Sequence, residues 1–392
     1  MRRLLLVDDE PSVVNALKKA LRPFRDRWEI ETAEGGRAAL DVLGQHRFDA
    51  VVSDARMPDV DGEAVLEFTR KQHPTTVRLV LSGQVDSKTG HRLASVAHQF
   101  LSKPSTGEAI LTAVEECCCL GETLADPRVR GLVTSIGKLP VGPRVYHRVS
   151  ALIDSPTSSA EEVAEVIEQD AALCTSVLRF VSSAFFGLPR AVTNMKQAVA
   201  AIGFERVREL VLSSEVFSAP EPLGVMAHLE RCGLQRARLA RLIAEGSPMT
   251  NLVGEAALLS DLGIYALSLR RPDIYAPILS AFRAGEGSLS ELEHAAFGCS
   301  HAQVAAVLLG LWGLPQTVVN AVNWHHDLPT GSAGLDTRTV LALAVGLEDD
   351  ARRPAPARTA ALEALATQLE VGARLPLFKN FAKQQFGNEV RS

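Results

Sequence analysis

The chain has 392 residues, of which 46% are hydrophobic and 22% charged, and its formal net charge is −5. This composition is typical of a folded globular protein, and the length is sufficient for two domains with buried cores. The slightly acidic balance argues against nucleic acid as a partner, because no overall positive field would attract phosphates.

Cysteine usage and the length of apolar runs indicate the compartment. The six cysteines include three consecutive ones, Cys117, Cys118 and Cys119, which cannot bridge one another in a relaxed geometry. We therefore expect reduced thiols. No stretch approaches the roughly 20 apolar residues that span a bilayer, so we predict a cytoplasmic protein without a membrane partner.

The first 120 residues alternate short apolar runs with segments of helical period. Strands are predicted at 3–7, 28–32, 48–53, 77–82 and 98–102, and helices near 11–22, 35–45, 62–72, 86–96 and 107–119. Five βα units of this size predict an α/β domain with a doubly wound, five-stranded parallel sheet of the flavodoxin type. Ligands of such a sheet bind beyond the carboxyl ends of its strands.

Acidic residues follow two of these strands. Asp8 and Asp9 come directly after the first strand, and Asp54 follows the third. The two strands are neighbours in a doubly wound sheet, so the three carboxylates converge and repel one another. A divalent cation removes this conflict, and oxygen ligands suit Mg²⁺.

A hydroxyl and a cation are predicted at the same edge of the sheet. Ser82 ends the fourth strand and Lys103 follows the fifth. An aspartate nucleophile, a metal, a cation and a hydroxyl together indicate phosphoryl transfer to a carboxylate. A single aspartate at a strand end is usually a helix cap, but five such residues at the ends of four strands are far less easily accidental.

Four motifs carry these residues: VDDE (7–10), SDARMPDVDG (53–62), LSG (81–83) and FLSKP (100–104). They resemble the receiver domain of bacterial response regulators over roughly the first 120 residues. The resemblance implies that Asp54 accepts a phosphoryl group from a sensor histidine kinase in a two-component phosphorelay. It also implies an acidic pocket in which Asp9, Asp54 and the carbonyl of Arg56 hold Mg²⁺ and Asp8 contacts the ion through water. Phosphoryl contacts from Ser82 and Lys103, a switch aromatic at Phe100, and a cis peptide bond before Pro104 are implied as well.

Beyond a polar stretch at 121–131, predicted to be a linker, strand signals vanish. Helices are predicted near 195–217, 226–246, 252–269, 273–284, 289–296, 300–311, 315–325 and 337–347, with one more in the tail. A capping box is predicted at Ser158 and Glu161, and a cap at Asp170. We expect a receiver at 1–120, an all-α output domain at 132–330 and its helical extension at 331–392.

The helical half carries a second set of motifs. They are LPVGP (139–143), EQDAALCTSVLRFVSSAFFG (168–187), AIGFERVREL (201–210), LLSDLG (258–263), SHAQVAAVLLGLWGLP (300–315) and HH (325–326). These stretches resemble the HDOD family, an all-helical signalling domain related to metal-dependent HD phosphohydrolases. Two departures are Ala171, where the family has proline, and Ser182, where it has asparagine.

The resemblance implies a vestigial HD site. Its positions are Cys232, Ser260, Asp261, His301, His325 and His326. A serine replaces the histidine of the His-Asp pair, and a hydroxyl is a poor ligand for first-row divalent metals. We therefore expect no cofactor and no catalysis in the output domain. The alternative is a degenerate HD-type metal-dependent phosphohydrolase that the receiver gates. The Gly-Tyr-Pro motif of related cyclic-dinucleotide phosphodiesterases is absent after the paired histidines, which argues against that particular activity.

The predicted function is therefore signal transduction. The expected partners are a sensor histidine kinase, an unidentified downstream signalling protein and, as a further candidate, a second copy of the chain. A DNA-binding regulator is disfavoured by the acidic balance. The arginines of the helical half are interpreted as a solvated helix face; they are Arg206, Arg208, Arg231, Arg236, Arg238 and Arg241.

Overall fold

The computed structural model describes residues 1–82, 93, 96–124, 126–136, 148–149, 151–153, 155, 157–182, 194–204, 207, 225–329 and 334–387. Most of the helix predicted at 86–96 lies outside these residues, as do the LPVGP motif and the second half of the helix predicted at 195–217.

Five parallel strands form the sheet of the N-terminal domain, in the order β2-β1-β3-β4-β5. They are β1 Arg2–Asp8, β2 Trp28–Glu34, β3 Ala50–Asp54, β4 Val77–Ser82 and β5 Gln99–Ser102. Every strand begins and ends within two residues of its predicted bounds. The predicted doubly wound parallel sheet is confirmed.

Helices cover both faces of this sheet, at Pro11–Ala20, Gly36–Gln45, Gly62–Gln72 and Gly107–Glu122. The side chains of β1 show why both faces need cover. Leu4 and Leu6 belong to one buried cluster, whereas Leu5 and Val7 belong to another. Successive side chains of a strand point to opposite faces, so a continuous apolar run buries both. The cluster around Leu4 is continuous with the core of the helical half.

The segment predicted to be a linker is largely helical. The helix Gly107–Glu122 runs into it, and a further helix occupies Pro127–Thr134. Asp126 caps the second helix by accepting a hydrogen bond from Arg128 N at 2.7 Å, and proline suits its first position. The carbonyl of Thr134 accepts a hydrogen bond from buried Arg78 of β4 at 2.7 Å. This helix therefore packs onto the receiver.

The rest of the described chain is helical, as predicted. The helices are Ala160–Ile167, Ala171–Ser182, Met195–Ile202, Met226–Ile243, Thr250–Leu259, Leu262–Arg270, Pro272–Ala284, Leu289–Phe297, His301–Leu311, Gln316–Asn323, Thr337–Arg352, Pro356–Gln368 and Leu375–Phe386. The tail thus holds two α-helices rather than one, because the break at Leu369–Val371 lets the chain fold back and bury Phe378 and Phe386.

Local signals were ambiguous at two other places. The capping box lies at Ser159 and Glu162, one residue beyond the predicted pair, because both serines have a glutamate three positions later. Asp170 caps the next helix as predicted, accepting a hydrogen bond from Leu173 N at 2.8 Å. The helix predicted at 252–269 is divided at Ser260 and Asp261.

One apolar stretch is longer than predicted, since no stretch was expected to approach the length of a membrane span. Thr250–Arg270 has the length and hydropathy of a membrane span, although 83% of its most apolar window is buried inside the fold. Burial of this extent is typical of a core segment, since the surrounding helices provide the apolar environment.

The two halves meet along one helix. His301–Leu311, which we call the interface helix, packs against Gly107–Glu122 and Pro127–Thr134 of the N-terminal part. Gln99 of β5 donates a hydrogen bond from Nε2 to the carbonyl of Gly310 at 3.1 Å. A side chain at Gly310 would lie 2.4 Å from Leu120 Cδ1, so the absence of one permits this close approach.

Candidate functional site

The carboxyl ends of β1 and β3 place two aspartates side by side. The strands pair in parallel, and Asp8 and Asp54 end them. Both are buried, with 2% of Asp8 and 9% of Asp54 exposed. One oxygen of each carboxylate accepts a backbone hydrogen bond, Asp8 Oδ1 from Glu10 N and Asp54 Oδ2 from Arg56 N, both at 3.0 Å. The other oxygen of each is left to face the strand ends.

Lys103 joins these two free oxygens. Its Nζ lies 2.6 Å from Asp8 Oδ2 and 2.5 Å from Asp54 Oδ1. Lys103 N donates to Ser82 O at 2.8 Å, which fixes the backbone at this position. The peptide bond between Lys103 and Pro104 is cis, as predicted. Burial opposes the charge on the ammonium, but the bonds to Asp54 and Asp8 outweigh it and raise the pKa of Lys103. One cation thus serves two buried carboxylates. We call Asp8, Asp54 and Lys103 the acidic pocket.

The other predicted receiver residues surround this pocket. Ser82 ends β4, the neighbour of β3, and is buried. Asp9 follows Asp8 directly and is exposed. Phe100, on β5, is half-buried against the cluster that contains Val80. The sheet therefore brings the predicted residues to one edge.

Gly62 is a feature of the pocket that the sequence analysis missed. A Cβ atom at this position would lie 2.0 Å from the backbone oxygen of Asp54. Gly62 also donates a backbone hydrogen bond to Ala55 O at 3.2 Å. The start of the helix Gly62–Gln72 is therefore held directly against the backbone of the candidate phospho-acceptor, and a tight contact of this kind needs glycine. The sequence offered one indication of this role, because Gly62 is the last residue of the SDARMPDVDG motif.

Three histidines meet in the helical half. His301, His325 and His326, which we call the histidine cluster, each direct one ligand atom into a group whose members lie within 4.8 Å of one another. His301 Nε2 and His326 Nε2 are 2.9 Å apart. Asp261 Oδ1 lies 3.7 Å from Nε2 of both His301 and His325. The structure thus assembles four of the six predicted HD-site residues.

A buried arginine occupies the other side of Asp261. Arg236 Nη1 lies 2.9 Å from Asp261 Oδ2, and the same nitrogen donates to Ser260 Oγ at 2.6 Å. Its remaining nitrogens donate to the two oxygens of Glu348 at 2.6 and 3.0 Å. Burial opposes the charge of Asp261, but Arg236 and the histidines hold the pKa of this carboxyl well below its usual range.

The prediction of a solvated arginine face is wrong at Arg236. Arg231 and Arg238 are exposed as predicted, and Arg206 and Arg208 lie outside the described residues. Only 4% of Arg236 is exposed. The signal in the sequence was its spacing, because Cys232, Arg236 and Ala240 follow one another at four-residue intervals and all three are buried. A charged residue in such a buried stripe needs a buried partner. That partner, Glu348, lies more than a hundred residues away in the sequence, so local spacing does not identify it.

Behind the histidine cluster lies a second buried carboxylate, Glu293. Its Oε2 is 2.7 Å from His301 Nδ1 and accepts a hydrogen bond from His301 N at 2.8 Å. The hydroxyl of Tyr275 donates to its Oε1. Burial opposes a charge on His301, but Glu293 and then Asp261 outweigh it and raise the pKa of His301. Sequence reasoning missed this carboxylate as well.

Cys232 has different surroundings. It accepts a hydrogen bond from Arg352 Nη2 at 3.0 Å, and it is not a member of the histidine cluster found among the described residues. The prediction of Cys232 as a ligand position is therefore not supported by geometry. Arg352 also pairs with Glu348 at 2.8 Å, which links the cysteine to the arginine network.

Two protein families match the chain. The family of the response regulator receiver domain matches residues 4–115, and that of the HDOD domain matches residues 139–328. The transcriptional regulatory protein TrcR of Mycobacterium tuberculosis is 35% identical over 112 residues, which are 28% of this chain and 42% of that protein. The transcriptional regulatory protein GlrR of Escherichia coli is 27% identical over 170 residues, 41% of this chain and 37% of that protein. The chain thus spans less than half the length of these relatives.

Solved structures match more of the chain. The MmoQ response regulator from Methylococcus capsulatus is 25% identical, with a TM-score of 0.50, and the match covers 62% of this chain and 98% of that one. A virulence factor from Campylobacter jejuni has a TM-score of 0.52 at 17% identity, covering 70% of this chain and 98% of that one. The second likeness concerns the fold alone.

Proposed function

We propose that this chain, a response regulator composed of a receiver domain and an HDOD output domain, accepts a phosphoryl group on Asp54 from a sensor histidine kinase. The observation that carries the proposal is the bridge from Lys103 to both Asp8 and Asp54. Two buried carboxylates lie beside one fixed cation, and a carboxylate can act as the nucleophile without a general base.

The transfer follows from this arrangement. A carboxylate oxygen of Asp54 attacks the phosphorus of a phosphohistidine, and the P–N bond breaks. The imidazole leaves with the bonding electron pair and takes up a proton, while Asp54 becomes an acyl phosphate. Lys103, which already touches the attacking carboxylate, would pair with a phosphoryl oxygen. Ser82, at the end of the adjacent strand, would donate a hydrogen bond to another.

The residues at this edge also fit a magnesium ion. Asp8 and Asp54 each direct one oxygen to the same ammonium group, so the two carboxylates lie near enough for one cation to contact both. Carboxylate oxygens are ligands that Mg²⁺ prefers. Asp8, Asp9, Asp54 and the backbone carbonyl of Arg56 would hold Mg²⁺. When bound, this ion neutralises charge on the phosphoryl group in transfer. Asp8 is held from the other side by Glu10 N, which keeps its orientation fixed.

The signal would reach the output domain through β5. Phosphorylation adds roughly −1.5 to −2 charges at the strand ends, where Phe100 would respond by repacking. The preceding residue on β5, Gln99, donates to Gly310 of the interface helix. A change at β5 therefore acts directly on a helix whose other end begins at His301. A downstream protein, or a second copy of the chain, would read the altered docking.

We propose that the output domain relays this signal without hydrolysis. A receiver-gated HD-type phosphohydrolase is the second candidate, and the histidine cluster favours it. However, a metal-dependent hydrolase of this kind would rely on the oxygens of Asp261 and on the histidines to hold its metal. One oxygen of Asp261 is already paired with Arg236. Turnover of phosphodiester substrates by the metal-loaded protein, lost in Asp261→Asn, would support the enzyme instead.

Labelling with acetyl phosphate tests the central step. The wild-type chain should take up one acid-labile phosphoryl group in the presence of Mg²⁺, and Asp54→Asn should take up none. Asp41→Asn is the matched control, because Asp41 is an exposed aspartate of the same domain. Undiminished labelling of Asp54→Asn would refute the assignment, as would loss of labelling in the control.

A further inference from the structure

We propose that the receiver domain binds a compact polyphosphate anion in a hollow beside its edge strand β2. The hollow has a volume of about 400 Å³. Four cationic side chains line it together with two apolar ones; they are Lys18, Lys19, Arg22, Arg25, Trp28 and Ile30, and we call this site the basic hollow. None of the residues of the acidic pocket lines it, so the proposal goes beyond phosphoryl acceptance and does not depend on it.

The rim of the basic hollow is built by the end of the helix Pro11–Ala20 and by the short helix that follows it. Lys18 and Lys19 lie in the last turn of the first helix, and Arg22 and Arg25 follow at the start and the end of the next. Residues three or four positions apart lie on the same side of a helical path, as Lys18, Arg22 and Arg25 do. All four side chains are exposed, so their charged groups surround the opening.

The four cations of the rim lack the carboxylate partners that neighbouring arginines have. Arg2 pairs with Glu122 at 2.7 Å, and Arg27 pairs with Glu115 at 3.0 Å. In the part of the chain that the structure describes, no ion pair involves a cation of the rim. Like charges held around one opening repel one another, although the chain as a whole has a net charge of −5. An anion in the basic hollow would remove this repulsion.

The helix dipole explains only part of this arrangement. Cations are favoured in the last turn of a helix because its carbonyl end is partly negative, which accounts for Lys18 and Lys19. The effect falls off within that turn, whereas Arg22 and Arg25 come after it. The dipole also gives no reason for all four cations to surround one concave surface, so a bound anion is the better explanation.

The size of the basic hollow favours a small ligand over a peptide. Its volume lies within the roughly 300–1,000 Å³ of small-molecule sites, and a sphere of that volume is about 9 Å across. An extended acidic peptide directs the side chains of one face about 7 Å apart, so only one or two of its carboxylates would fit. A di- or triphosphate concentrates more negative charge in the same space. The ligand class that fits is therefore a polyphosphate.

The chemistry of the rim and of the floor agrees with this class. Arg22 and Arg25 carry forked guanidinium groups that match phosphate oxygens in pairs, and Lys18 binds phosphate as a point charge. Trp28 and Ile30, alternate residues of β2, face the same side of the sheet and form the floor. Ile30 is only half-buried, so it offers apolar surface to a nucleoside attached to the phosphates. The polyphosphate comes from an inorganic source or from a nucleotide, and titration with both distinguishes them.

Calorimetric titration of the full-length protein with sodium triphosphate tests this inference. The buffer contains a chelator and no phosphodonor, so the result is separate from the test of Asp54. The wild-type protein should bind one triphosphate per chain. Arg22→Ala should bind it at least about tenfold more weakly, since a hydrogen bond to a charged group typically contributes that much. Lys18→Ala should show a similar loss.

Arg37→Ala is the matched control. Arg37 is an exposed arginine of the helix Gly36–Gln45 in the same domain, and it does not line the basic hollow. This variant loses the same charge as Arg22→Ala but should bind triphosphate like the wild type. If the wild type takes up no triphosphate, or if Arg22→Ala and Arg37→Ala bind it equally, the inference is overturned.

Two further titrations identify the ligand. ATP in the same buffer distinguishes the sources, because tighter binding than that of triphosphate indicates a nucleotide, and equal or weaker binding indicates an inorganic polyphosphate. Both results support the site. An oligoglutamate peptide or a single-stranded oligonucleotide is the competitor class. If either bound more tightly than triphosphate and lost this affinity in Arg22→Ala, the assignment to a compact polyphosphate would be refuted.

Discussion

Replacing Gly62 by alanine should weaken the receiver at the point where it holds Asp54, the proposed phospho-acceptor. The added methyl carbon would start 2.0 Å from the backbone oxygen of Asp54, more than 1 Å inside a normal contact. The obstacle is backbone rather than a flexible side chain, so either the helix Gly62–Gln72 or the end of β3 must move. Overpacking of this kind costs about 1–3 kcal/mol, against a gain of up to about 1 kcal/mol in helix propensity.

Gly44→Ala measures that gain separately. Gly44 lies on the helix Gly36–Gln45 and is exposed, and no atom lies within 4 Å of the point that its Cβ would occupy. It should therefore raise the unfolding temperature slightly, whereas Gly62→Ala should lower that of the receiver by roughly 5–10 °C. Calorimetry on both variants, with acetyl phosphate labelling beside it, gives the comparison. If Gly62→Ala proved as stable as Gly44→Ala and were labelled at the wild-type rate, the contact with Asp54 would not constrain the pocket.

Three further predictions concern the pocket, the core and the interface. Lys103→Met leaves two buried carboxylates without a cation, so the free energy of unfolding measured in chelator should fall by roughly 1–3 kcal/mol. Mg²⁺ should then raise the unfolding temperature of the variant more than that of the wild type. Equal shifts with Mg²⁺ would contradict the bridge from Lys103 to the two carboxylates. Burial raises the pKa of Glu255 from 4.5 to about 8, so the folded protein retains a proton that the unfolded chain releases. Stability should therefore fall as the pH rises from about 4.5 to 8, and Glu255→Gln should flatten this slope in thermal melts; an unchanged slope would exclude Glu255 as its source. Gln99→Ala removes the hydrogen bond to Gly310 and should reduce the shift that acetyl phosphate causes in the unfolding temperature of the output domain. A shift as large as that of the wild type would show that the two domains are coupled through other contacts.

The acidic pocket could be predicted because its residues lie at the carboxyl ends of β1, β3 and β5. Parallel pairing brings the carboxyl ends together, so Asp8, Asp54 and Lys103 meet once the strands are identified. The buried network of the output domain could not be predicted in this way. Arg236, Glu348 and Glu293 lie on three different helices, and a helical charge is ordinarily interpreted as solvent-facing. Their pairing inside the core depends on tertiary contacts between residues far apart in the sequence, and the local sequence pattern does not reveal such contacts.

The interface helix connects the receiver with the histidine cluster of the output domain. Its first residue, His301, belongs to that cluster, and its penultimate residue, Gly310, accepts the hydrogen bond from Gln99 of β5. An α-helix of 11 residues is about 16 Å long and rigid on that scale. A displacement at the receiver face therefore moves the start of the helix as well, and it changes the position of His301 relative to His325 and His326. Because coupling between two sites is reciprocal, any contact that fixes His301 would in turn bias which receiver conformation docks on the output domain.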